Sequence, residues 1–96
     1  MKLIIRQRAD DDLDDIFAWI LKDNPRAAAE MVRRIRERVG RLVTPGLAHM
    51  GRPGLVAGTR ELVVPGTPYV IPYRLRGDRL EVIAVFHARQ KWPKQL

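Results

Sequence analysis

The chain contains no cysteine. Disulfides and thiolate metal sites are therefore excluded, and cysteine usage says nothing about compartment. Histidine is scarce too: His49 and His87 are the only two, so a histidine-based metal site is not expected. Aromatic residues make up 6% of the chain. The two tyrosines and two phenylalanines are mostly claimed by a core, which leaves no platform for stacking bases and argues against a small nucleic-acid-binding module. No apolar run approaches the roughly 20 residues that a membrane helix needs, and the N-terminus lacks a signal-peptide pattern, so a cytoplasmic protein without membrane contact is expected. At 96 residues one domain with one modest core, spanning 1–96, is the expectation.

What the chain has is positive charge, unevenly placed. Residues 1–23 carry four basic and six acidic groups, whereas residues 24–96 carry fourteen basic and five acidic ones. A formal net charge of +7 favours a polyanion or an acidic protein as partner through long-range attraction.

Local patterns predict the elements in order. Lys2–Arg6 is an apolar run of strand length. A helix over about Asp10–Lys22 carries Leu13, Ile16, Phe17, Ile20 and Leu21 as one stripe. Asp10, Asp11 and Asp12 are placed in its first turn, where carboxylates complement the dipole and cap free amides. Asn24-Pro25 suits an N-cap followed by the first helical position, and a second helix to about Val43 turns Ala28, Val32, Ile35, Val39 and Leu42 inward. The short connection makes an antiparallel hairpin, setting Asp11, Asp14 or Asp15 opposite Arg34, Arg38 or Arg41. An all-carboxylate metal site on this helix is the less economical reading of the aspartates.

Thr44–Thr59 is a Gly/Pro-rich loop. Three strands are expected after it: Arg60–Val64, Tyr69–Leu75 and Leu80–His87. Gly77-Asp78 suits a two-residue hairpin turn, pairing Arg76 with Arg79, Arg74 with Glu81, Pro72 with Ile83 and Val70 with Val85. One face then carries Tyr69, Ile71, Tyr73, Leu75, Leu80, Val82, Ala84 and Phe86 and packs on the helices. The other carries Val70, Pro72, Arg74, Glu81, Ile83, Val85 and His87 and is left open. Pro72 conflicts with this register, because it has no N–H for a ladder bond; a bulge or a longer turn would resolve the conflict. The last strand runs into His87, Arg89, Lys91 and Trp92, a basic and aromatic cluster at the end of a rigid element.

The order strand, helical hairpin, Gly/Pro loop and three-stranded antiparallel meander resembles the RelE/ParE superfamily of bacterial toxins, an α+β fold with both helices on one sheet face. The resemblance rests on Ala9-x-x-x-Leu13-x-x-Ile16, Gly51-Arg-Pro-Gly54, Gly58-Thr-Arg-Glu-Leu-Val-Val64, Tyr69-Val-Ile-Pro-Tyr-Arg74 and Val85-Phe-His-Ala-Arg89. The chain looks like the ParE branch. That resemblance implies a toxin held inactive by a ParD-like antitoxin, poisoning DNA gyrase when released, with no cofactor. The RelE branch instead cleaves messenger RNA on the ribosome without a metal, and there Arg60, His87 and Arg89 would form the catalytic set. An arginine of the third strand is replaced near Val70, and Trp92 stands only roughly where a tyrosine is needed, so that set is incomplete. The expected target-binding residues are Arg60, Arg74, His87, Arg89, Lys91 and Trp92. The expected antitoxin-binding residues are Val70, Pro72, Arg74, Ile83, Val85 and Trp19.

Overall fold

The structure, a computed structural model, describes residues 1–89. Eight elements follow one another: β1 (Lys2–Ile5), α1 (Gln7–Leu21), α2 (Pro25–Arg41), β2 (Arg52–Pro53), β3 (Thr59–Val63), β4 (Tyr69–Arg76), β5 (Arg79–Val82) and β6 (Phe86–His87). The sheet order is β1-β5-β4-β3-β2, with β6 also paired to β4. β1 lies parallel to β5 at the sheet margin, and the other pairs are antiparallel. The fold is α+β, with the helical hairpin packed on one face of the sheet. Among the described residues no helix is long and apolar enough to cross a membrane.

α2 forms where its caps predict. The Asn24 side chain accepts a hydrogen bond from the Ala27 N–H at 3.1 Å, and Pro25 opens the helix. Ala28, Ile35, Val39 and Leu42 are buried, while Val32 is half-buried. Sealing side chains such as Ile35 and Leu42 from water contributes about 1.5–3 kcal/mol each.

α1 departs from expectation. It starts at Gln7, with Arg6 at the N-cap and no side-chain cap, so only Asp10 falls in its first turn. The three aspartates therefore do not cap free amides as a group. β1 ends at Ile5, and the one-residue joint leaves no room for the first helix turn to wait for Asp10. The buried side is Ala9 and Leu13 with Ile16 partly covered; Phe17 and Leu21, expected inside, are exposed. Across the hairpin the closest ion pair is Asp10–Arg36 at 3.9 Å, not one from Asp11, Asp14 or Asp15. An exposed pair at that distance contributes little.

The long loop is pinned by β4. Tyr73, fully buried in the centre of the sheet, donates its hydroxyl to the Ala48 carbonyl at 2.8 Å and accepts from the Gly51 N–H at 3.0 Å. A Cβ at Gly51 would stand 2.7 Å from both the Glu61 carbonyl oxygen and the Tyr73 ring, so only glycine permits this approach. The Gly77-Asp78 turn also matches prediction. Gly77 has φ 57° and Asp78 does not have positive φ, the pattern of a type II′ hairpin.

The register holds as expected from Arg76↔Arg79 to Tyr73↔Val82, then changes. The next pairs are Val70↔Phe86 and Tyr69↔His87. Three residues, Ile83–Val85, therefore oppose two, Pro72 and Ile71. This is a β-bulge, and it sits where Pro72 cannot donate. The Pro72 carbonyl still accepts from the Ile83 N–H at 2.9 Å. The expected pairs Pro72–Ile83 and Val70–Val85 are thus replaced, and the expected last strand is divided into β5 and β6.

Candidate functional site

One extra residue in a strand moves everything after it to the opposite face. Beyond the bulge, Val85 joins the core cluster beneath the helices, and His87 shares a face with Tyr69 while Phe86 pairs with Val70 on the other. The Val85 N–H, freed from the ladder, donates to Asp12 Oδ2 at 2.9 Å. Asp12, which also meets Arg8 at 3.5 Å, therefore ties α1 to the bulge.

The result is a groove of about 560 Å³ between α1 and the end of the sheet. Asp12, Asp15, Ile16 and Trp19 line one wall; Tyr69, Val85, Phe86, His87 and Arg89 line the other. His87 meets the Tyr69 ring edge-on, with centroids 5.8 Å apart, and its Nδ1 accepts from the Arg89 N–H at 3.1 Å. Burial pushes the Tyr69 phenol above its ordinary pKa. Trp19 is 70% exposed, with Lys22 Nζ 5.3 Å from its ring centroid. Together with exposed Phe17 and Leu21 it leaves the second half of α1 with an apolar surface in water.

The expected site residues do not gather in one place. His87 and Arg89 line the groove. Arg60 is at the other end: its guanidinium donates to the His49 carbonyl at 3.0 Å and to the Gly51 carbonyl, anchoring the long loop. Arg60 pairs with Tyr73 and His87 with Tyr69, on opposite sides of β4. Four residues along and two strands across put them roughly 15 Å apart. Arg74 is opposite Glu81 and points away from the helices. Glu81 is bound chiefly by Arg6, at 3.0 Å, with Arg76 at 3.6 Å. The Arg6 hydrogen bond holds the Glu81 carboxyl below its usual pKa, aided by the charges of Arg76 and Arg74. Lys91 and Trp92 lie outside the described residues.

The expected open apolar face is corrected. Val70, Pro72, Ile83 and Val85 are all buried. Val85 is turned under the helices by the bulge. Val70, Pro72 and Ile83 are buried on the face turned away from the helices. Of the set expected to meet an antitoxin, Trp19 and Arg74 keep accessible surface. Sequence reasoning passed over Asp12, Asp15, Ile16 and Tyr69 as site residues. The signal for them was the misfit of Pro72, which announced a bulge and hence a change of face after it. Among the described residues, no group of three or more histidine, aspartate or glutamate side chains is arranged to hold a metal ion.

Residues 3–92 match the family model described as ParE toxin of type II toxin-antitoxin system, parDE. A Sinorhizobium fredii protein named "Putative toxin Y4kP" is 48% identical over 84 residues, covering 88% of this chain and 84% of the relative. The solved structure of the chromosomal ParDE TA system from P. aeruginosa superposes with a TM-score of 0.84 at 28% identity, over 91% of this chain and 95% of that one.

Proposed function

Because this chain belongs to the ParE toxin family of type II toxin–antitoxin systems, we propose that a cognate ParD-like antitoxin holds it inactive and that the freed toxin poisons DNA gyrase in the cytoplasm by binding. The preference for binding over messenger RNA cleavage is carried by one observation. Metal-free phosphodiester cleavage needs cations and an acid–base group converging on one phosphate. Arg60 is committed to the loop carbonyls of His49 and Gly51, far from His87 and Arg89. Among the described residues Arg60 thus stands apart from His87 and Arg89, which favours binding over the ribosome-dependent ribonuclease reading.

The antitoxin surface in this reading is the groove beside α1. Trp19 supplies an exposed aromatic anchor and Ile16, Val85 and Phe86 an apolar wall. An amphipathic segment that is disordered when free would order itself there.

Purified toxin added to gyrase and supercoiled plasmid tests the target. Accumulation of linear, protein-linked DNA, suppressed by the antitoxin, is expected. Codon-positioned cuts in ribosome-bound messenger RNA, with gyrase unaffected, would replace this reading with the ribonuclease one.

A further inference from the structure

We propose that the face of the sheet turned away from the helices carries, at its Arg76 end, a binding surface for the phosphate backbone of double-stranded DNA. The register aligns three cations across three strands: Lys2 lies opposite Arg79, and Arg79 opposite Arg76. Like charges set directly opposite each other destabilise a sheet. One step inward, the same face carries Arg74 opposite Glu81, with Arg6 reaching Glu81 from the end of β1. Arg52 on β2 faces Glu61 and pairs with it.

These six cations are accompanied by Glu61, Glu81 and the turn residue Asp78, which leaves a net charge of three positive. Among the described residues, no ion pair involves Lys2, Arg74 or Arg79. Lys2, Arg76 and Arg79 are all exposed. A row of like charges that weakens the sheet, in which Arg76 has only the 3.6 Å contact with an already engaged Glu81 and Lys2 and Arg79 have no ion pair among the described residues, is accounted for by an anion that binds across it.

The geometry favours a duplex over an acidic polypeptide. The row is about 10 Å wide at the usual strand spacing, a span that reaches about two neighbouring phosphates of one strand, since these wind around the duplex and stand farther apart than their rise along its axis. Five of the six cations are arginines, whose planar fork suits phosphate oxygens. A protein partner draws most of its affinity from buried apolar anchors. Apart from Met1, the exposed large apolar side chains lie elsewhere: Phe17, Trp19 and Leu21 on α1, Met50 and Leu55 in the long loop, and Val63 at the far end of β3. No group here reads base edges, so the binding is independent of sequence.

The inference goes beyond the gyrase reading and does not require it. The test is anisotropy of a fluorescent 30-base-pair duplex of arbitrary sequence, titrated with toxin over a range of salt. Wild type is expected to bind at low salt. The double substitution Arg76→Gln/Arg79→Gln should lower affinity at least tenfold near 0.1 M salt and flatten the salt slope by roughly 1.8, about 0.9 per lost phosphate contact. Arg26→Gln/Arg41→Gln removes the same charge from α2 and should change both quantities far less. The melting temperature of the first variant should stay level or rise, because the like-charge row is relieved. Absence of duplex binding, equal losses in the two variants, or a lowered melting temperature would overturn the proposal. So would unchanged duplex binding with loss of the antitoxin, which would assign the row to a protein partner.

Discussion

The two ends of β4 carry opposite chemistry. At the Tyr69 end the strand meets β6 and α1 in a groove of apolar walls, where Trp19 stands exposed and His87 rests on Tyr69. At the Arg76 end it pairs with β5, and β5 with β1, in a row of three cations. The difference is made by one residue. Up to Val82 the hairpin register is regular and side chains alternate as a sheet requires; beyond it the bulge exchanges the faces and turns Val85 and His87 toward α1. A single small domain can thus present a surface suited to an apolar polypeptide and another suited to phosphates without either disturbing the other.

Trp19→Asp gives the largest separation of the two ends. It should weaken antitoxin binding roughly thirtyfold or more, the loss of about 2 kcal/mol typical of an aromatic anchor. Duplex binding should change little. Isothermal titration with purified antitoxin checks the first part, and comparable losses in both assays would dissolve the distinction between the ends.

Asp12→Ala probes how the bulge is held. Removing the acceptor leaves the Val85 N–H without its partner, at a cost of about 1–3 kcal/mol in stability. Denaturant titration should show that loss. The imidazole resonances of His87 should shift while the salt slope of duplex binding stays as in wild type. A variant as stable as wild type would mean that the helix does not hold the bulge.

Glu81 gives the smallest effect and acts at the cationic end. Its carboxyl is held below the ordinary pKa by Arg6, so the associated stabilisation is present above the unfolded value, about 4.3, and is lost as pH falls through the lower folded value. Melting temperatures between pH 6 and 3 should therefore fall less steeply in Glu81→Gln than in wild type. The same variant should bind duplex slightly more tightly at neutral pH, since a carboxylate among the cations is gone. Identical pH profiles would remove Glu81 from the acid-sensitive set.

Much of this architecture can be read along the chain. Asn24-Pro25 places the start of α2, Gly77-Asp78 places the hairpin and its first four pairs, and apolar spacing identifies Ile35, Val39 and Leu42 as core. These are local matters: a cap, a turn and a helical period each depend on neighbours within a few residues. The candidate site was less legible. His87 and Arg89 could be singled out from the strand end, but their partners across the groove come from α1, 68 to 77 positions earlier. Arg60 was legible as a basic residue on a strand. Its commitment to the His49 and Gly51 carbonyls depends on where the long loop returns.

By itself the sequence determined the helical hairpin, the β4–β5 turn, the absence of cysteine chemistry and the excess of positive charge. It also carried the family resemblance, because that rests on local motifs in a fixed order. Tertiary structure alone decided the position of β1 beside β5, the bulge opposite Pro72, the burial of Val70, Pro72 and Ile83, and the division of the cations between loop anchor, groove and open row. The physical reason is that a strand's pattern tells which residues share a face, while a one-residue slip in pairing exchanges the faces. The Asp12–Val85 contact that accompanies the slip joins residues 73 positions apart. No local rule reaches that far.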